Sequence, residues 1–162
     1  MGTSSRASGW HAGTTSTPAQ SFTVTPTKLM GGAIQGNALS LADTVTTLAG
    51  TPGVNNPSGI TTDGTNLYVT DTGDSTIKQI VIATGAVSTL ATGFNIPFGI
   101  TTDGTNLYMT DIGNSTVWKI VISTKAVTTV DATHFSSPAG ITTDGTGLFV
   151  ADGSNSAVFK IE

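Results

Sequence analysis

The sequence contains no cysteine and few charged side chains. Of its 162 residues, 10% are charged and none is a cysteine. Without thiol groups the chain can form neither a disulfide framework nor a thiolate site for zinc or an iron–sulfur cluster. No apolar run reaches the ~18 residues of a membrane-spanning helix, and no stretch has the period of about 3.6 residues of an amphipathic helix. We therefore expect no membrane span, no cofactor or metal, and no helical fold.

Basic residues are scarce and scattered. Six Lys and Arg residues against ten Asp and Glu residues give a net charge of −4. Beyond residue 42 the basic side chains are four isolated lysines, Lys78, Lys119, Lys125 and Lys160. Proteins that bind nucleic acid need clustered cationic side chains to neutralise neighbouring phosphates. The sequence therefore predicts that nucleic acid is not a partner.

Threonine and glycine, by contrast, are abundant. The chain has 32 threonines and 20 glycines, which favour strands and turns respectively. Residues 1–42 are rich in small and polar side chains, and these bury too little apolar surface to offset the entropy lost on ordering. We predict a tail or linker over residues 1–42 and a folded β-domain over residues 43–162.

The folded region contains a repeat of about forty residues. The motif Pro-x-Gly-Ile-Thr-Thr-Asp-Gly-Thr-x-Leu occurs three times, beginning at Pro57, Pro97 and Pro138, which are 40 and 41 residues apart. Repetition at a fixed period indicates structural units that stack against their neighbours. The sequence therefore predicts three such units.

Each unit shows the pattern of a four-stranded antiparallel sheet. The Asp63-Gly64 pair is a strong hairpin signal between two β-forming runs. In the first unit we predict strands at Gly59–Thr62, Leu67–Asp71, Thr76–Ile82 and Ala86–Ala91. The second and third strands carry apolar side chains on both faces, so other sheets must cover both sides. Sheets stacked in this way around an axis form a β-propeller.

The longer pattern Pro-x-Gly-Ile-x-x-Asp-Gly-x-x-Leu-Tyr-Val-x-Asp-x-Gly resembles the repeats of NHL-type β-propellers, most closely their threonine-rich bacterial form. The resemblance implies an all-β fold in which each repeat forms one four-stranded blade and the first strand of each blade lines the central channel. The blades are then expected at about 57–92, 97–132 and 138–162. Because propellers of this kind are commonly exported, the resemblance favours an extracellular or cell-surface location.

The strand count leaves the last blade incomplete. The third repeat ends after its third strand, while Val45-Thr-Thr-Leu-Ala49 resembles the fourth-strand segment Val87-Ser-Thr-Leu-Ala91. We therefore predict an outer strand at Thr44–Ala49. Three blades are fewer than the about four to eight of a closed ring, and an isolated copy would leave two blade faces bare. Two copies could form a six-bladed ring by exchanging outer strands, the chain could be a fragment of a protein with further repeats, or copies could form an open-ended stack.

Three carboxylates recur where the second strand of each unit ends. These residues, Asp71, Asp111 and Asp152, would lie on one face of a ring and could bind a cation or a basic protein. The alternative is that each one accepts hydrogen bonds within its own loop. A second recurring set, Asp63, Asp103 and Asp144, precedes the hairpin glycines. We assign this set to the turns, because the alternating Asp/Asn pattern of a calcium loop is absent.

Aromatic residues provide the other candidate binding positions. Phe94, Phe98 and Phe135 lie in or beside the linkers between units, where they could anchor a ligand or fill the gaps between blades. Trp118 and Phe159 share one third-strand position with Lys78. The two histidines, His11 and His134, are too few for a three-histidine metal site, and no serine is placed to suggest a catalytic triad with His134.

The function best matched by these features is a non-enzymatic binding or scaffolding module that acts in protein–protein interaction or self-assembly. No cluster of titratable residues suggests acid–base catalysis. Two alternatives remain open. The resemblance suggests a degenerate or truncated propeller enzyme of the lyase type, and the low-charge composition suggests a structural subunit of an extracellular assembly.

Overall fold

A computed structural model of the chain describes residues 45–50 and 52–162. The predicted tail at 1–42 lies outside the described residues. The described part is all-β and contains eleven strands. It holds no helix, and so none that could cross a membrane.

The strands form three antiparallel sheets, which we call blades 1, 2 and 3. Blade 1 consists of β1 (Pro57–Thr62), β2 (Asn66–Asp71), β3 (Thr76–Val81) and β4 (Val87–Thr92). Blade 2 consists of β5 (Pro97–Thr102), β6 (Asn106–Asp111), β7 (Thr116–Val121) and β8 (Val127–Asp131). Blade 3 consists of β9 (Pro138–Thr143), β10 (Leu148–Asp152) and β11 (Ala157–Ile161). Neighbours in sequence are neighbours in each sheet, so the predicted meander is confirmed and the architecture is that of a partial β-propeller.

The first strand of a blade is longer than predicted because it contains a β-bulge. In blade 1 the register pairs Pro57 with Asp71 and Ile60 with Val69, so the irregularity falls between them, at the position of Gly59. The same irregularity occurs between Pro97 and Ile100 in blade 2. A bulge of this kind bends the strand that carries it.

The core lies between the blades. At the first joint Tyr68 and Ile77 of blade 1 belong to one fully buried cluster with Leu107, Met109 and Ile120 of blade 2. At the second joint Val117 and Val150 are fully buried in a second cluster with Phe135. Each such side chain contributes about 1.5–3 kcal/mol when it is fully removed from water. The stacking of blades is therefore the main source of stability for the described region.

The predicted outer strand at Thr44–Ala49 is not formed in the single chain. Thr44 lies outside the described residues, and residues 45–49 contain no strand. Residues 46–49 instead lie against blade 1, where they help to line a pocket. The physical reason is that β4 already occupies the fourth position of blade 1, while the three-stranded blade 3 lies at the other end of the stack. Val45 is fully exposed as a result.

One isoleucine adopts a backbone conformation that suits asparagine better. Ile96 has a φ of 63°, and its counterpart in the first repeat is Asn56, with a φ of 58°. Because a β-branched side chain is strained in this left-handed region, we expect Ile96→Asn to raise the free energy of unfolding by about 1 kcal/mol. Urea denaturation measures the change. The converse variant Asn56→Ile should lower the stability, and an unchanged midpoint for both variants would contradict the assignment of strain.

Candidate functional site

The recurrent carboxylates at the ends of the second strands are buried and brace loops. Asp71 accepts hydrogen bonds from the backbone N–H of Asn55, 3.0 Å from each of its two carboxylate oxygens. Asp111 accepts the corresponding bond from the backbone N–H of Asn95 at 2.9 Å. Each bond ties the loop that enters a blade to the second strand of that blade. The three carboxylates lie in separate blades, and no group of three or more potential metal ligands occurs in the part of the chain that the structure describes.

The third carboxylate shows the same arrangement at blade 3. Asp152 accepts the backbone N–H of Ser136 at 2.7 Å and that of Ser137 at 3.1 Å. Burial alone would raise the pKa of Asp152, but these N–H groups and that of Asn155 outweigh it, so the pKa is lowered. The carboxylate therefore stays ionised inside the protein because its loops supply the donors. Loop bracing, the alternative reading of these residues, accounts for their position in all three blades.

Two other residues complete the brace in blade 2. In blade 2 Asp111 also accepts the side-chain amide of Asn114 at 2.9 Å and the indole N–H of Trp118 at 3.3 Å. In blade 1 the corresponding positions are Asp74 and Lys78. Asp74 offers no amide donor.

An ammonium group replaces the missing donors in blade 1. The Lys78 Nζ atom lies 3.9 Å from Asp71 and 3.3 Å from Asp74. A hydrogen bond from the Asn55 side chain and a second from Lys78 lower the pKa of Asp74. Lys78 therefore contributes the positive charge that two neighbouring carboxylates require.

The carboxylates before the hairpin glycines belong to the turns. Asp63 accepts the backbone N–H of Thr65 at 2.8 Å and of Asn66 at 2.7 Å, and the hydroxyl of Tyr68 at 2.7 Å. The bond from Asn66 is the largest of several that hold the pKa of Asp63 well below its usual value. Burial and the hydrogen bond to Asp63 raise the pKa of Tyr68 to about 12. These bonds satisfy the turn and support its structural assignment.

Two of the three candidate aromatic anchors are buried within the blades. Phe94 packs edge-on against Trp118 with ring centroids 6.1 Å apart. Phe135 packs in the same way against Phe159 at 5.3 Å. Phe98 differs from both, because it is 41% exposed. It is therefore the one predicted aromatic position with a substantial surface for a ligand.

The described histidine forms a short local network. His134 Nδ1 lies 2.7 Å from a carboxylate oxygen of Asp131 and 3.1 Å from the Thr133 hydroxyl. Burial would raise the pKa of Asp131, but the bonds from Thr133 and His134 outweigh it and the pKa falls to about 2. The network holds the loop between blades 2 and 3. His11 lies outside the described residues.

The terminal face of blade 3 exposes residues that are buried elsewhere in the repeat. Val158 is 73% exposed, whereas its counterparts Ile77 and Val117 are fully buried. Ala151 is also exposed, at the position of the buried residues Thr70 and Thr110. This face therefore has the composition of a joint between blades but no sheet covers it in the single chain. We call it the blade 3 face.

The opposite end of the stack, which we call the blade 1 face, is partly covered. Ile60 is 63% exposed, while its counterpart Ile100 is 6% exposed. Residues 46–49 line an open pocket of about 430 Å³ on this face together with Ile60, Leu67 and Ile80. The sequence predicted two bare faces. The partial cover by residues 46–49 was missed, because their strand-like sequence gave no indication of where they would lie.

Comparisons with known proteins show the fold and no closer relationship. No protein-family model matches the chain, and no curated protein matches it. A chain of the nidogen/laminin complex is similar with a TM-score of 0.60 and 20% identity, over 66% of this chain and 43% of that chain. Virginiamycin B lyase from Staphylococcus aureus, in a catalytically inactive form with quinupristin, has a TM-score of 0.54 and 24% identity, over 62% and 35%.

A chain of Kuenenia stuttgartiensis hydrazine synthase is similar with a TM-score of 0.58 and 23% identity, over 81% of this chain and 36% of that chain. The present chain thus spans less than half the length of each of these neighbours. The likeness concerns the path of the backbone and does not extend to the NHL type expected for the repeats of this chain. The three blades described here have a β-propeller fold.

Proposed function

We propose that this chain is a non-enzymatic binding and scaffolding module that binds other protein sheets through its terminal blade faces. The observation that carries the proposal is Val158, which is 73% exposed at a position that is fully buried in the other two blades. This exposure supports a role of the blade 3 face as half of a joint between blades. The exposure of Ile60 supports the same role for the blade 1 face.

The energetics favour covering these faces. Strands about 4.8 Å apart and five residues long give roughly 300 Å² for the four-stranded blade 1 face and roughly 240 Å² for the three-stranded blade 3 face. Apolar patches of a few hundred Å² commonly mark interaction sites. Burying Val158 and Ile60 as completely as their counterparts would contribute about 1.5–3 kcal/mol for each residue. The matching partner for such a face is another blade, supplied either by a second copy or by further repeats of a longer chain.

An enzymatic role of the lyase type is the second candidate. Among the similar structures are a virginiamycin B lyase and a streptogramin B lyase, at 24% and 16% identity. Likeness at this level concerns the fold alone. His134, the histidine that the structure describes, bonds to Asp131 and Thr133 in its own loop. We place binding first because the exposed apolar faces are a positive feature of the chain.

A charged side chain on the blade 3 face tests the proposal. We expect the purified chain to associate, so that light scattering gives a mass above the 16.3 kDa of one copy. Val158→Glu should return the mass to one copy, because a carboxylate cannot be buried unpaired in the joint. The matched control is Val127→Glu, at a residue that is 39% exposed on the outer strand β8. A monomeric wild-type chain, or equal effects of both variants, would contradict the proposal.

A further inference from the structure

The geometry points to a second copy of this chain as the occupant of both faces, with blade 3 of each copy docked on blade 1 of the other. This inference rests on the proposed function and names its partner. It comes from one glycine position that recurs in all three blades. In blades 1 and 2 a backbone carbonyl of the next blade packs against the glycine at that position.

Two of these glycines are required by the neighbouring blade. A Cβ atom on Gly59 would lie under 3.0 Å from the carbonyl oxygen of Phe98, and one on Gly99 would lie under 3.0 Å from that of Ala139. In each case the carbonyl belongs to the first strand of the next blade. Glycine therefore occupies this position because the backbone of the next blade passes where a side chain would begin.

The third glycine has room for a Cβ atom in the single chain. The atom nearest to a Cβ on Gly140 would be the Cβ of Ala151, at 3.8 Å. Packing within the chain therefore gives no reason for glycine at residue 140. The carbonyl that corresponds to those of Phe98 and Ala139 belongs to Ser58, which lines the pocket on the blade 1 face. We infer that the Ser58 carbonyl of a second copy lies against Gly140.

A second feature distinguishes this joint from the two inside the chain. The hydroxyl of Thr70 donates to the carbonyl of Phe98 at 2.6 Å, and the hydroxyl of Thr110 donates to that of Ala139 at 2.7 Å. Blade 3 has Ala151 at this position. At the joint between copies, Gly140 leaves space for the Ser58 carbonyl, but Ala151 offers no hydroxyl to donate a hydrogen bond to it. We therefore expect this joint to be weaker than the two joints within a chain.

Two copies docked in this way form a closed ring of six blades. Three blades from each give six, within the range of about four to eight blades found in closed propellers. A two-fold axis relates the two joints and leaves no face open. Residues 46–49 must leave the blade 1 face when the other copy docks. Their sequence matches β4, so they fit the free edge of β11 in the other copy, where the fourth strand of blade 3 is missing.

Gly140→Ala tests this docking. In the single chain the added methyl has room. The thermal midpoint of the monomer, measured at protein concentrations well below the dissociation constant, should therefore not fall. At the joint the methyl would meet the Ser58 carbonyl of the other copy, and we expect the dissociation constant of the dimer to rise on the order of 100-fold. The matched control is Gly153→Ala, which has no neighbour within 4 Å of the added Cβ and should leave the dissociation constant unchanged.

A gain of affinity provides the complementary test. Ala151→Thr restores the hydroxyl that the other blades use, and each joint should tighten about fivefold. Sedimentation equilibrium measures the mass and the dissociation constant for all variants. The inference requires a wild-type mass of twice 16.3 kDa, weaker association for Gly140→Ala and tighter association for Ala151→Thr.

Other outcomes separate this inference from the proposed function. If Val158→Glu abolishes association and Gly140→Ala does not, the blade faces bind protein but the docking inferred here is wrong. A wild-type mass of more than two copies overturns the closed ring in favour of an open stack. A wild-type chain that remains monomeric overturns both the inference and the proposed function.

Discussion

Asp111→Ala is expected to lower the free energy of unfolding by about 4 kcal/mol, because it removes the acceptor of several hydrogen bonds inside the protein. Asp111 is fully buried. It accepts the backbone N–H groups of Asn95 and Asn114, the side-chain amide of Asn114 and the indole N–H of Trp118. Without the carboxylate these part-buried donors lose the acceptor that they share. Domains of this kind are stable by about 5–15 kcal/mol in total, so the loss is a large fraction of the whole.

The hairpin carboxylate of the same blade provides the control. Asp103 accepts the backbone N–H groups of Thr105 and Asn106, and the side chains of Asn106 and Tyr108, in an exposed turn. Water can replace Asp103 there, so Asp103→Ala should cost much less. Urea denaturation of both variants measures the difference. Equal losses would show that Asp111 does not brace its loop from a buried position.

Gly99→Ala should have the second largest effect, a loss of about 3 kcal/mol. The added Cβ would lie under 3.0 Å from the carbonyl oxygen of Ala139 and 3.1 Å from the hydroxyl oxygen of Thr110. Ala139 lies in β9 of the next blade, so its carbonyl can move only if the blades separate. The substitution therefore opens the joint between blades 2 and 3 and exposes part of the core there.

The same substitution at Gly140 makes the comparison specific. Both glycines occupy the same position of the repeat, but the Cβ at Gly140 would meet only Ala151, at 3.8 Å. The Val158→Glu background keeps the protein monomeric, so urea denaturation then reports on the single chain. We expect a large loss for Gly99→Ala and little change for Gly140→Ala. Similar losses at both positions would attribute the effect to glycine itself and not to the neighbouring blade.

The repeat made most of the fold predictable. The Asp63-Gly64 hairpin and apolar residues on both faces of the strands predicted four-stranded sheets buried on both sides, and the structure shows this for Tyr68 and Val69. The start of β1 at Pro57 was not predicted, because a bulge extends the strand beyond the residues that pair regularly with β2. A register shift of this kind depends on how two strands pair, which the sequence of one strand does not reveal.

The candidate site was predictable only in part. The recurrence of Asp71, Asp111 and Asp152 was evident from the sequence, but their burial was not, because a strand end can point into a loop or into water. The replacement of Asn114 and Trp118 by Asp74 and Lys78 becomes intelligible only when the distances to the buried carboxylate are known. From the sequence alone, Lys78 would be interpreted as an isolated surface charge.

The two joints inside the chain share contacts at equivalent positions of the repeat. Thr70 and Thr110 bind the next blade through the same atoms, and Gly59 and Gly99 admit it at the same position. Unequal recombination within the repeat would add or delete one whole blade while creating no new kind of contact. The number of blades can thus vary by duplication alone, with natural selection acting afterwards on the terminal blades.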